Sequence, residues 1–97
     1  GYLRLSEIEL LDLIGSGMLF SAAIPVDERQ AIVQLVRSGV SGLSEMDRKN
    51  LIVNFIMELN LVRGRAEGAG LTRAERMAKT SVLLNNMKDQ LRNSDIV

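Results

Sequence analysis

The sequence contains neither cysteine nor histidine among its 97 residues. Without cysteine the chain has no disulfide framework and no thiolate nucleophile or ligand. Without histidine it lacks the usual base of a serine nucleophile and the commonest metal ligand. These absences argue against most hydrolase mechanisms, and we expect a protein that is not an enzyme and that uses no cofactor. The lack of cysteine also favours a reducing compartment, so we expect a cytoplasmic location.

Aromatic residues and long apolar runs are scarce as well. Aromatics make up 3% of the chain although apolar residues make up 46%, so the core has to be built from aliphatic side chains and five methionines. No unbroken apolar run approaches the roughly 20 residues that span a bilayer, and we expect no membrane span. The length fits one domain, which we place at residues 1–97.

The chain carries no net charge, because 12 basic side chains balance 12 acidic ones. The overall basic excess that often marks nucleic-acid binders is therefore missing. The charges are unevenly placed: residues 1–62 hold five basic and eight acidic side chains, and residues 63–97 hold seven and four. The second part of the chain is thus the place to look for a contact with an anion.

Helix-start patterns occur four times, each before a segment with its own apolar periodicity. A capping residue is followed three positions later by a side chain that can cap in return. The four pairs are Ser6 with Glu9, Asp27 with Gln30, Ser44 with Asp47, and Thr72 with Glu75.

The expected helix ends complete a fold prediction. Gly15, Ser16 and Gly17 interrupt the first helix. Gly39 ends a second helix over about 28–38, the third runs to Val62, and the fourth runs to about Arg92. A short helical turn is expected in "MLFSAAI", before Pro25. Few segments show strict alternation, so strands are not expected. The sequence predicts an all-α fold: a small single-domain bundle of four main helices plus a short helical turn, with the third helix central.

The third helix is unusually apolar, with nine apolar side chains in "LIVNFIMELNLV", residues 51–62. Its polar side chains Asp47, Asn50, Asn54 and Glu58 share one narrow stripe, which leaves an arc of about 240° that is mostly apolar, whereas a surface helix needs about 100°. Either this helix is the centre of the bundle, or one side of it meets a second chain. The residues that would supply core or contact area are Leu51, Ile52, Phe55, Ile56, Leu59 and Val62.

The fourth helix carries a short heptad pattern. Met77, Leu84 and Leu91 recur every seven residues, and Met87 stands at the alternate spacing. Such a stripe packs on its own domain or on a helix of another chain.

Four arginines surround the glycine-rich segment "RGRAEGAG". Arg73 and Arg76 fall in the first turn of the fourth helix, where the helix dipole disfavours cations, and Arg63 and Arg65 precede them. Together they could hold a phosphate or an acidic partner beside the free amides of the helix start. The competing interpretation is that Glu67, Glu75 or the acidic first part of the chain neutralises them.

These features favour a non-enzymatic protein–protein interaction or regulatory module. It would self-associate or dock on another protein through the apolar faces of the third and fourth helices, so the expected partner is a protein or a second copy. The alternative is a small DNA- or RNA-binding regulatory protein that uses the arginines around residues 63–79. The hypothesis of a helix-turn-helix DNA-binding motif is weak. Only Arg48 and Lys49 stand near the start of the recognition helix, and the rest of that helix is too apolar for the hydrated groove of DNA.

Overall fold

The computed structural model describes residues 4–18, 20, 24–63 and 70–95. Four α-helices account for most of them: α1 (Glu7–Ser16), α2 (Val26–Gly39), α3 (Glu45–Arg63) and α4 (Arg73–Asp95). The described residues contain no strand, and the predicted all-α bundle of four main helices is confirmed. The short helical turn predicted for "MLFSAAI" falls largely outside the described residues.

Capping boxes start the first and last helices, as their spacing predicts. At α1 the Ser6 hydroxyl accepts a hydrogen bond from the Glu9 amide at 3.2 Å, and the Glu9 carboxylate accepts one from the Ser6 amide at 3.1 Å. Thr72 and Glu75 make the same reciprocal pair at α4, at 3.2 and 3.1 Å. Each box satisfies two amides that the helix itself leaves unpaired.

The two middle helices differ in how they start. The Ser44 hydroxyl caps α3 as predicted, accepting from the Asp47 amide at 3.2 Å. For α2 the prediction of an Asp27 cap was wrong: the helix begins at Val26, directly after Pro25, whose φ of −55° is already close to a helical value. Asp27 therefore lies inside the first turn of α2, and its side chain is free to reach a neighbouring helix.

Glycine serves two different purposes at the helix ends. Gly17 ends α1 as predicted, in the left-handed conformation with φ of 77°. Gly39 does not stop α2 in this way, because it is the last helical residue and Val40 follows as the C-cap. Its role is close packing: a Cβ at position 39 would lie 2.7 Å from Cδ2 of Leu84 on α4.

The helices form a ring in which each packs against two others, in the order α1, α2, α4, α3. Glu28 meets Arg76 near the beginnings of α2 and α4, and Gly39 meets Leu84 further along both, so these two helices run in the same direction. One cleft brings Asn50 of α3 to Leu91 of α4, and its neighbour brings Glu58 to Leu83, so α3 and α4 are antiparallel.

α3 makes the largest contribution to the core. Of the thirteen buried apolar side chains among the described residues, five belong to α3, and all thirteen form one cluster. α3 is central because it supplies the most core side chains. The other helices do not enclose it on all sides, since it packs on α1 and α4 and keeps one side open. Within the described residues, no helix combines the length and the hydropathy needed to cross a bilayer.

Candidate protein-binding cleft

The apolar residues predicted as core or interface on α3 belong almost entirely to the core. Five of them are at most 5% exposed and have almost no surface to offer a second chain, whereas Val62 is half-buried. The five buried residues are Leu51, Ile52, Phe55, Ile56 and Leu59.

The heptad stripe of α4 also faces its own domain. Leu84 is buried, and Met77 and Met87 are partly buried against the core, while Leu91 is half-buried beside α3. Thr80 lies in the same stripe, and its hydroxyl donates to the Arg76 carbonyl at 2.8 Å, so this polar group is satisfied within the helix. The stripe therefore seats α4 on the bundle, and only its edge at Met87 and Leu91 reaches a cleft.

Arg76 is held by a buried carboxylate of α2. Glu28 is fully buried; Nη2 of Arg76 donates to its Oε1 at 2.8 Å, and Nε lies 3.1 Å from Oε2. A third donor, Nη1, reaches the Leu71 carbonyl at 2.7 Å. The hydrogen bond to Glu28 raises the pKa of the Arg76 guanidinium. Because its donors face inward, Arg76 is not the anion or acidic-partner contact that the sequence suggested.

Arg73 of α4 also has an acidic partner on α2. Its Nη1 lies 2.5 Å from Oδ2 of Asp27, with both side chains more than half exposed. The acidic start of α2 thus neutralises the basic start of α4. This agrees with the competing interpretation, in which the acidic first part of the chain neutralises the arginines. The side chain of Arg63 and the whole of Arg65 lie outside the described residues, so the predicted four-arginine cluster is not brought together there.

Two further arginines, Arg48 and Arg29, are bound by other groups within the fold. Arg48 binds Glu7 of α1, with Nε 2.6 Å from Oε1 and Nη2 donating to Oε2 at 2.8 Å. Arg29 donates to the Gly15 carbonyl at 2.8 Å and also to the Ile24 carbonyl. Arg48 therefore ties α3 to α1, which removes one of the two cations that a helix-turn-helix reading would need.

The open side of α3 carries exposed apolar side chains. Met46, Met57 and Leu61 are 74%, 55% and 56% exposed, and 100° per residue places them within an arc of about 60°. They are three of the seven large apolar residues that are exposed in the described part of the chain. The other four are divided among the remaining helices and the turn after α1: Ile8, Met18, Val26 and Val82.

A cleft lies between this side of α3 and the neighbouring edge of α4. It has two parts with volumes of about 380 and 180 Å³, which share Asn54, Met87 and Gln90 and therefore adjoin. We call it the α3–α4 cleft. Its described lining consists of Asn50, Leu51, Asn54, Met57 and Glu58 from α3 and Leu83, Met87, Gln90 and Leu91 from α4.

Polar groups at the α3 edge of the cleft lack partners. In the described part of the chain the side chains of Asn50, Asn54 and Glu58 make no hydrogen bond or ion pair, and neither does that of Asp47. These four form the polar stripe that the helical wheel identified. The sequence thus predicted the edge and Met87, but it gave no signal for the cleft itself, which depends on how α3 and α4 pack.

The described residues hold no cluster of three or more acidic side chains suited to a metal ion. Comparisons with protein-family models, with curated proteins and with solved structures give no match.

Proposed function

We propose that this protein is a non-enzymatic protein-binding module that docks through the α3–α4 cleft and the exposed apolar side of α3. The observation that carries the proposal is Met57, which is 55% exposed and lines a cleft whose other wall is Leu83 and Met87. Exposed apolar side chains beside a groove are typical of protein contact sites.

The chemistry of the lining suits a protein ligand. Methionine side chains are flexible and polarisable, so Met57 and Met87 can adapt to an apolar surface. The neighbouring Asn50 and Asn54 amides can donate and accept hydrogen bonds, which would orient the ligand. Apolar contact area combined with polar hydrogen-bonding groups is the usual composition of a binding interface.

The nucleic-acid alternative has lost much of its support. It depended on the arginines around residues 63–79, and two of these, Arg73 and Arg76, are engaged by Asp27 and Glu28. A cytoplasmic location remains an inference from the absence of cysteine.

Site-specific photocrosslinking tests the proposal. A photoreactive benzoylphenylalanine replaces Met57 in one variant and Asp12, an exposed residue of α1, in the control variant. Both are expressed in the cells that make this protein and irradiated. We expect adducts to form several-fold more at position 57, because that side chain would lie inside the interface.

Equal adduct yields at the two positions, or none at either, would contradict the proposal. The mass of an adduct separates a second copy of the chain from another protein. Sedimentation equilibrium of the unmodified chain at low and high salt checks the first case, because apolar self-association persists in high salt.

A further inference from the structure

We infer that the α3–α4 cleft receives an amphipathic helix of another protein that carries two basic side chains about three turns apart. This inference rests on the proposed function and specifies the partner. The juxtaposition behind it is that three apolar side chains, Met57, Leu83 and Met87, line the cleft beside the unpaired carboxylate of Glu58. A second unpaired carboxylate, Asp47, lies outside the described lining, three residues before Asn50 on the same stripe of α3.

The carboxylates are Asp47 and Glu58. They are eleven residues apart on α3, so they differ by about 20° around the helix and by about 16 Å along it. Asn54 lies between them on the same stripe. Because α3 and α4 are antiparallel, Glu58 stands beside Leu83, and Asp47 lies toward the end of α4 that contains Leu91.

The distribution of charge around the cleft determines which charge the partner should carry. The acids Glu7, Asp27 and Glu28 are each engaged by an arginine. Asp47 and Glu58 have no ion pair in the described part of the chain. Glu58 is the one charged residue in the described lining of the cleft. A ligand with lysine or arginine opposite these two carboxylates would form ion pairs with them, whereas an acidic ligand would be repelled.

The shape of the site favours a helix as the ligand. A groove between two antiparallel helices accepts a third helix, whose apolar side chains at i, i+3 or i+4, and i+7 point into the groove. Basic residues ten or eleven positions apart on that helix would match the spacing of Asp47 and Glu58.

A second copy of this chain fits the site less well. Within each described helix, no two basic residues of that same helix are ten or eleven positions apart. The chain therefore has no described helix with the required charge spacing, and a different protein is the better occupant.

A displayed library of amphipathic helices, each about 16 residues long, provides the probe. Its apolar face is fixed as Leu and Met, and its flanking positions are randomised among Lys, Arg, Glu and Gln. The library is selected on the whole chain. We expect enrichment of peptides with two basic residues ten or eleven positions apart.

Variants of the chain then test which groups the selected peptides contact. The double variant Asp47→Asn, Glu58→Gln should weaken binding about fivefold to tenfold, since two rim ion pairs are lost. Asp12→Asn, which removes an exposed acid of α1, should leave binding unchanged. Met57→Lys should abolish binding, and circular dichroism melts confirm that all three variants fold.

The outcomes separate this inference from the proposed function. Peptides that need Met57 but ignore the double variant would overturn the charge assignment and leave the docking site in place. A library without binders, or binders indifferent to Met57→Lys, would overturn the helical ligand altogether. If crosslinking at position 57 also failed, the proposed function would fall with it.

Discussion

Glu28 is the residue whose surroundings most affect this small protein. It is fully buried, and its charge is compensated by the guanidinium of Arg76, 48 positions later in the chain. A buried carboxylate without a partner is strongly destabilising, because it loses its hydration and gains nothing in return. Asp27, its neighbour in sequence, is mostly exposed and bound to Arg73. The ion pairs of these two adjacent acids therefore affect the free energy of unfolding very differently.

Replacing Arg76 tests this difference. We expect Arg76→Met to lower the melting temperature by at least about 10 °C, because the buried carboxylate of Glu28 loses the guanidinium that compensates its charge. The matched control is Arg73→Met, which breaks an exposed ion pair and should change the melting temperature by only a few degrees.

A second change distinguishes charge from packing. Adding Glu28→Met to Arg76→Met removes the stranded carboxylate, and we expect most of the lost stability to return. A double variant that melts as low as Arg76→Met alone would show that packing at this position, rather than the charge of Glu28, determines the effect.

At this scale the sequence predicts local features better than distant ones. The caps at Ser6, Ser44 and Thr72 were predictable, because the groups that bond are three residues apart. The pairing of Glu28 with Arg76 was not, since it depends on α2 and α4 being neighbours. Gly39 ends α2 close to where the sequence predicted, but its close approach to Leu84 is invisible in the sequence for the same reason.

At the scale of the element, α4 shows how one helix start can depend on pH. Glu75 accepts a hydrogen bond from the Thr72 amide, and this contact, together with the Thr72 side chain, lowers the pKa of Glu75 below its ordinary 4.5. A carboxyl group whose folded pKa is lowered stabilises the fold above its unfolded pKa, and this contribution disappears as the pH falls through the folded value.

Glu75→Gln is the variant that isolates this effect. Glutamine can still cap the Thr72 amide, but it carries no charge to interact with the helix dipole. We expect the wild type to be more stable than the variant above about pH 5 and the difference to vanish as the pH falls below the folded pKa. Urea unfolding of both proteins across this range gives the measurement. A difference that stayed constant with pH would contradict the assignment.

The helix faces of α3 were only partly predictable. Helical periodicity identified the polar stripe and the buried residues around Phe55, because burial follows the wheel. It did not identify Met57 as exposed, since Met57 lies within the apolar arc, whereas Leu61 falls between Asn50 and Asn54 on the polar stripe, where exposure is expected. Only the packing of α1 and α4 decides which part of that arc is covered.

On the scale of the whole molecule, the bundle consists of two helical hairpins placed side by side. α1 packs on α2 and α3 packs on α4, and the hairpins meet through α1 with α3 and α2 with α4. Three ion pairs between described residues cross this junction: Glu7 with Arg48, Asp27 with Arg73, and Glu28 with Arg76. Leu84 packed beside Gly39 adds an apolar contact along the same junction.

This arrangement has a consequence for folding kinetics. Each hairpin is built from contacts between consecutive helices, which form quickly, whereas the junction joins residues 41 and 48 positions apart and closes later. We therefore expect Arg76→Met to raise the unfolding rate far more than it lowers the folding rate in stopped-flow experiments. If the variant instead slowed folding more than it accelerated unfolding, the junction would already be formed in the transition state. With the expected result, the ion pairs between the hairpins determine how long the folded state lasts rather than how fast it is reached.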